Sequence, residues 1–172
     1  VDLKEDAKYI YATGERFSYI FSKHHGTFAS MIVDGDEQLA AEVKLSAYKA
    51  PTDNDRHIKS HWSTVDFWEG ENMDYAFTKI YDCYLKEGVI VVEASLAGIS
   101  RKPLLKYMLH IRINNFGRID FEFKGKVRED AYWLPRLGFE FEMPEKFNEF
   151  TYYGRGPIEN YRDMCHKKQF QP

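Results

Sequence analysis

The sequence predicts an all-β fold, an antiparallel β-sandwich, and three observations carry that expectation. Apolar and polar residues alternate with period two, the signature of half-buried strands. Turn signals built on glycine and asparagine separate the alternating runs. Aromatic residues make up 16% of the chain, with 13 Phe, 12 Tyr and 3 Trp, and such side chains suit the pleated surface of a strand. Most of these rings are expected to be core or cross-strand pairs.

Taken in chain order, Phe17, Tyr19 and Phe21 alternate with Ser18 and Ser22, and Val43, Leu45 and Ala47 alternate with Glu42, Lys44 and Ser46. Thr13-Gly14, His25-Gly26 and Asp34-Gly35 supply turns between the early strands. Residues 56–69 are the one stretch suited to a short helix or a long loop. Residues 73–85 and 89–96 flank Lys86-Glu87-Gly88, and residues 104–113 and 118–127 flank Asn114-Asn115-Phe116-Gly117. Both arrangements read as antiparallel hairpins. Val89-Ile90-Val91-Val92 is apolar on both faces, which predicts a strand covered on both sides in a layered structure. Phe121 and Phe123, then Phe139 and Phe141, set rings on one face and charges on the other. No helical period of useful length, internal repeat or linker interrupts the pattern, so one sandwich domain is expected.

Charged residues are 30% of the chain and the net charge is −3. This balance gives no electrostatic reason to expect nucleic acid or an anionic membrane as partner. No apolar run approaches the roughly 20 residues of a spanning helix. The first residues, Val1-Asp2-Leu3-Lys4-Glu5-Asp6, have neither the basic nor the apolar region of a signal peptide. Without a starting Met, an excised segment is expected. Cys83 and Cys165 do not form a disulfide framework. The compartment is open: a cytoplasmic place is favoured, and a periplasmic or secreted one is also compatible.

Glycosidases typically need two carboxylates, about 5–5.5 Å apart for retention and wider for inversion. Glu140 and Glu142 share a strand face, but their alternation with phenylalanines reads as a solvated face beside a buried one. His57 and His61 would share a face if that stretch were helical, yet no third ligand stands at a telling position, so no metal is expected. Asp53-Asn54-Asp55 lacks the central Gly and distal Glu of a calcium loop and reads as an Asx-rich corner. No nucleophile elbow, phosphate loop or dinucleotide fingerprint is present.

Three segments resemble one family. Tyr48-Lys49-Ala50-Pro51-Thr52-Asp53-Asn54-Asp55 is similar to the Trp-Arg-Ala-Pro-Thr-Asp-Asn-Asp segment of the bacterial β-galactosidases of glycoside hydrolase family 2. Leu134-Pro135-Arg136-Leu137-Gly138 is similar to their Leu-Pro-Arg-x-Gly strand. The third segment, Tyr153-Gly154-Arg155-Gly156-Pro157-Ile158-Glu159-Asn160-Tyr161-Arg162-Asp163, resembles their Tyr-Gly-Arg-Gly-Pro-x-Glu-Asn-Tyr-x-Asp block. Tyr48-Lys49 departs from the family's Trp-Arg, and Met164 stands where it usually has Arg.

The resemblance implies the first part of the small-chain sandwich, a mutarotase-like supersandwich truncated at its C-terminal end, over residues 1–172. It implies a non-catalytic segment packed beside a barrel that carries both catalytic glutamates and hydrolyses terminal β-D-galactosides such as lactose with retention. No cofactor is implied here; Mg and Na belong to other parts of the full enzyme. The resemblance places a mobile loop after the Asp-Asn-Asp corner at the galactose pocket, which here selects Asp53, Asn54, Asp55, Arg56 and His57 as a substrate-rim loop. A Trp of the family's galactose site falls beyond Pro172, so free galactose is expected to bind weakly or not at all.

The remaining motif residues have mechanical readings. Pro51 removes a donor and forces its predecessor to be extended. Arg155 and Glu159 are expected to pair across the tight corner of Gly156 and Pro157, with Asn160 and Tyr161 following. Arg136 belongs to the same structural set. The expected partners are the barrel and other domains of the same polypeptide, with a galactoside only in the full enzyme and self-association through an exposed sheet edge. Two other readings compete: a free-standing carbohydrate-binding module, and a mutarotase-like domain with a His and a Glu converging on a sugar.

Overall fold

The computed structural model describes residues 1–55, 57, 61–62, 70–131, 134–151, 153–156 and 169–171. Two antiparallel meanders make its body. The first holds β1 (Asp2–Glu5), β2 (Tyr9–Thr13), β3 (Phe17–Ser22), β4 (Thr27–Val33) and β5 (Asp36–Glu37) in chain order. The second holds β7 (Ala76–Lys86), β8 (Val89–Gly98), β9 (Leu105–Ile113) and β10 (Ile119–Val127), again side by side. Between them in sequence, β6 (Lys44–Ser46) pairs with β11 (Gly138–Glu140). Finally, β12 (Gly154–Gly156) pairs with β13 (Gln169–Gln171). No described helix is long and apolar enough to cross a membrane.

The predicted turns fall where the glycines are. In Asp34-Gly35 and Glu87-Gly88 both residues have positive φ, the geometry of two-residue hairpin turns that match strand twist. Asn114 closes the β9–β10 turn by accepting the N–H groups of Phe116 (2.9 Å) and Arg118 (3.0 Å) on Oδ1.

One face of each meander supplies the core. Ile10, Ala12, Phe17, Tyr19, Phe21 and Phe28 of the first join Ile90, Val92, Ala94, Leu96, Leu109 and Ile111 of the second in a single buried cluster. The Tyr19 hydroxyl crosses to the Gly117 carbonyl at 3.0 Å, and the Phe28 and Phe121 rings meet edge-on at 6.3 Å. Phe21 meets Phe28 edge-on at 5.1 Å, the tilted geometry that aromatic quadrupoles prefer.

Several expectations are corrected. Residues 73–75 form a 3-10 turn rather than the start of β7, closed by the Tyr75 N–H on the Asn72 carbonyl at 3.1 Å. Phe141 is 46% exposed, since β11 ends at Glu140. Ser22 is buried rather than solvated: the turn folds over it, with Gly26 N–H on its carbonyl (2.8 Å) and His25 N–H on its hydroxyl (3.2 Å). Strand β8 is buried on both faces as expected; Val91, Ser95 and Ala97 are all buried, and the Tyr81 hydroxyl bonds Ser95 Oγ at 2.9 Å.

Candidate functional site

The corner at residues 51–55 is built on one carboxylate. Pro51 ends the extended approach, Asp53–Asp55 form one 3-10 turn, and Asp55 is buried. Its Oδ2 accepts the Thr52 N–H (2.8 Å) and Thr52 hydroxyl (2.9 Å), with Lys49 Nζ at 3.0 Å. The Thr52 N–H and then Lys49 hold this carboxyl below the usual aspartate range. Lys49 also lies 5.7 Å from the ring centre of Trp62, close enough for a cation–π contact. Lys49 thus keeps a cation on Asp55 although it stands where the resembled segment has Arg.

Trp62, within the stretch read as a short helix or a long loop, is only 1% exposed and belongs to the core. Residues 61–62 are tied to the far side of that loop: Glu71 N–H donates to the His61 carbonyl (2.8 Å) and Met73 N–H to the Trp62 carbonyl (2.5 Å). Residues 70–72 are in turn clamped by the second meander. Arg101 Nε donates to the Gly70 carbonyl, Asn72 Nδ2 donates to the Ile99 carbonyl at 3.0 Å, and Arg128 Nη2 meets the buried Glu71 carboxylate at 2.5 Å. Gly98 lets this happen, because a Cβ there would lie 1.9 Å from the Glu71 carbonyl oxygen. Glu71, Asn72, Gly98 and Arg128 were not legible as functional positions in the sequence. Their relation is tertiary, and an isolated glycine at a strand end is the only local sign of it.

Next to the corner lies a half-open cleft of about 430 Å³, lined by Tyr48, Asp74, Thr78, Tyr107 and Phe139, with His25 and Glu42 also on its wall. Burial raises the pKa of both phenols, and the Asp74 charge adds to the effect at Tyr48. Both are therefore neutral hydroxyls at neutral pH. His25 Nδ1 lies 2.5 Å from Glu42 Oε2, so the two groups occupy each other rather than flank a vacant ligand position. Glu140, also on the wall, is bonded by Arg136, which reaches Ser46 Oγ at 3.3 Å and thereby clips β11 to β6. Glu142 pairs with Lys44 at 2.9 Å. The cleft can hold a small polar molecule, and two of the carboxylates on its wall already have partners, Glu140 with Arg136 and Glu42 with His25.

The other predicted positions divide as follows. His57 is exposed, while Arg56 lies outside the described residues. Arg155 and Gly156 lie in β12, whose backbone pairs Arg155 with Phe170 and Gly156 with Gln169. Pro157, Glu159, Asn160 and Tyr161 lie outside the described residues, and so does the expected Arg155–Glu159 pair. Cys165 is likewise outside, while Cys83 is a buried free thiol. Among the described residues, no three His, Cys, Asp or Glu side chains gather where a metal ion could be held.

A family model described as "Beta galactosidase small chain" matches residues 13–171. The beta-galactosidase of Actinobacillus pleuropneumoniae is 29% identical over 169 residues, covering 96% of this chain and 16% of that protein. That of Priestia megaterium (strain DSM 319 / IMG 1521) is 31% identical over 152 residues, covering 88% of this chain and 14% of its own. That of Lactobacillus delbrueckii subsp. bulgaricus is 30% identical over 154 residues, with 87% and 15% covered. The chain therefore spans about a sixth or less of the length of these curated relatives.

Proposed function

This chain belongs to the family of the beta galactosidase small chain, and from that premise we propose that it serves as a non-catalytic sandwich segment of a longer retaining β-galactosidase of glycoside hydrolase family 2. In this reading the longer polypeptide hydrolyses terminal β-D-galactosides such as lactose. A barrel elsewhere in it supplies the acid/base and nucleophile carboxylates. Residues 1–172 form part of one sandwich domain packed beside that barrel, and the corner at residues 53–57 shapes the substrate rim. Mg and Na are bound by other parts of the polypeptide.

The observation that carries the reading is coverage: nearly the whole chain aligns with about a sixth of enzymes named beta-galactosidase. The side chains support it. Retention requires two carboxylates about 5–5.5 Å apart with distinct roles, whereas Glu42, Glu140 and Glu142 are each held by a neighbouring His, Arg or Lys. A rim role suits the corner because Asp55 and Trp62 are both buried, so the stretch between them starts and ends on fixed points.

Two measurements test this. The chain alone is expected not to turn over a chromogenic galactoside and to give no clear calorimetric signal with galactose; turnover surviving substitution of Glu140 and Glu142 refutes the non-catalytic reading. In the full-length enzyme, alanine at Arg56 and His57 is expected to change kcat or KM for galactosides with thermal stability nearly intact. Unchanged kinetics, or a loss explained by unfolding, removes the rim role.

A further inference from the structure

The outermost described strands of the two meanders are β1, β5, β7 and β10. Three of them are poor docking edges. Strand β1 has four residues and β5 has two, and β7 is broken by a bulge between Ile80 and Asp82. Short and bulged edges resist pairing with other chains. Strand β10 differs. Its nine residues pair with β9 in unbroken register, and among the described strands it has no second neighbour. Gly125 is exposed in mid-strand and Phe121 is 40% exposed.

The sequence of β10 has a symmetry of its own. Its outer face presents Asp120, Glu122, Lys124 and Lys126 at every second position. Laid antiparallel on a second β10 with the two Phe123 residues opposite, Asp120 faces Lys126 and Glu122 faces Lys124, each pair occurring twice. On the other face Ile119 meets Val127, and Phe121 meets Gly125. Sliding the pair by two residues in either direction sets Glu122 against Glu122 or Lys124 against Lys124. Like charges directly opposite are destabilising, so one register is selected. Glu122 already takes one bond on each oxygen, from Lys124 at 2.7 Å and Arg112 at 3.4 Å, and each carboxylate oxygen has room for another.

We propose that two copies of this chain associate through β10, antiparallel about a two-fold axis at Phe123, joining their four-stranded sheets into one. The contact is isologous, so it closes on itself and builds dimers rather than fibres. Charges that would repel a foreign edge are here complementary to their own copy.

Sedimentation of the purified chain is expected to show a monomer–dimer equilibrium that weakens with added salt. Glu122→Lys and Lys124→Glu, each alone, place like charges opposite twice per dimer and should weaken association about tenfold or more. An equimolar mixture of the two variants restores every opposite-charge pair, as does the double variant, and both should recover dimer. Melting curves of each variant report folding, and recovery on mixing separates lost pairing from lost structure. A chain that stays monomeric overturns the proposal, as do single variants that dimerise normally or a mixture that fails to recover. Protection from hydrogen exchange, in the dilute monomer, of those β10 amides that point away from β9 would show the edge already covered, and would overturn it as well.

Discussion

Alanine at Gly98 adds one methyl group against a backbone that leaves it no space. The new Cβ would lie 1.9 Å from the Glu71 carbonyl oxygen and 2.7 Å from that of Asn72. Even a close C–H···O contact keeps carbon and oxygen about 3.3 Å apart, so residues 71–72 must retreat by more than roughly 1 Å. Overpacking of this kind costs about 1–3 kcal/mol. The same retreat strains the contact between Arg128 and the buried Glu71 carboxylate, and separating a buried pair costs about 3 kcal/mol or more. A loss of about 3 kcal/mol is the expected outcome, which for a chain of this length lowers Tm by about 6–12 °C. Thermal melting followed by circular dichroism reads it directly, and hydrogen exchange should show faster loss of protection at the amides of Glu71 and Met73. Gly138→Ala is the control: a Cβ there meets nothing within 4 Å, and its effect should stay within about 0.5 kcal/mol. If Gly98→Ala also melts within about 0.5 kcal/mol of the parent, the clamp on residues 70–72 does not exist as described.

Two further outcomes follow from the buried groups. Asp55 has a folded-state pKa below its unfolded value, so its stabilising share is complete above the unfolded value of about 3.9 and is lost as pH falls through the lower folded one; Asp55→Asn should reduce stability at neutral pH and flatten the acid limb of a melting-versus-pH series, and an unchanged limb counts against the Thr52 and Lys49 contacts. Burial pushes the Cys83 thiol up to about 11, so a thiol reagent at mildly alkaline pH should label it at the rate of unfolding, and rapid native-state labelling would place that side chain at the surface.

The strands were legible because their signal is local. Phe17, Tyr19 and Phe21 alternate with smaller residues and all three rings are buried, and the glycine-bearing turns lie between the strands they were expected to join. Misreadings arose where a neighbour decides the outcome. Alternation carries no information about where a sheet ends, so it could not foresee that Phe121 lies on an edge strand and Phe141 beyond one. Ser22 follows the polar half of the alternation but is covered by its own turn. Trp62 sits in a stretch without β pattern and reads as loop, yet its ring is core. The clamp on residues 70–72 was invisible, since it joins Glu71 to Arg128 and Gly70 to Arg101 across long separations in sequence. The corner at Asp55 was legible as a corner from Pro51 and its Asx residues; that one carboxylate holds it by bonding Thr52 and Lys49 was not.

Both meanders pair strands that follow one another directly, whereas β6 and β11 close a loop that encloses the entire second meander. Loop closure costs entropy that grows with the length enclosed, and contacts local in sequence form sooner than distant ones. The two meanders should therefore be structured early in refolding, with the β7–β8 and β9–β10 hairpins first. Pairing of Lys44–Ser46 with Gly138–Glu140 comes late, after the intervening sheet has shortened the distance its ends must travel. Arg136, which bridges Ser46 and Glu140, then acts on the unfolding limb: its loss should speed unfolding and leave the folding rate almost unchanged.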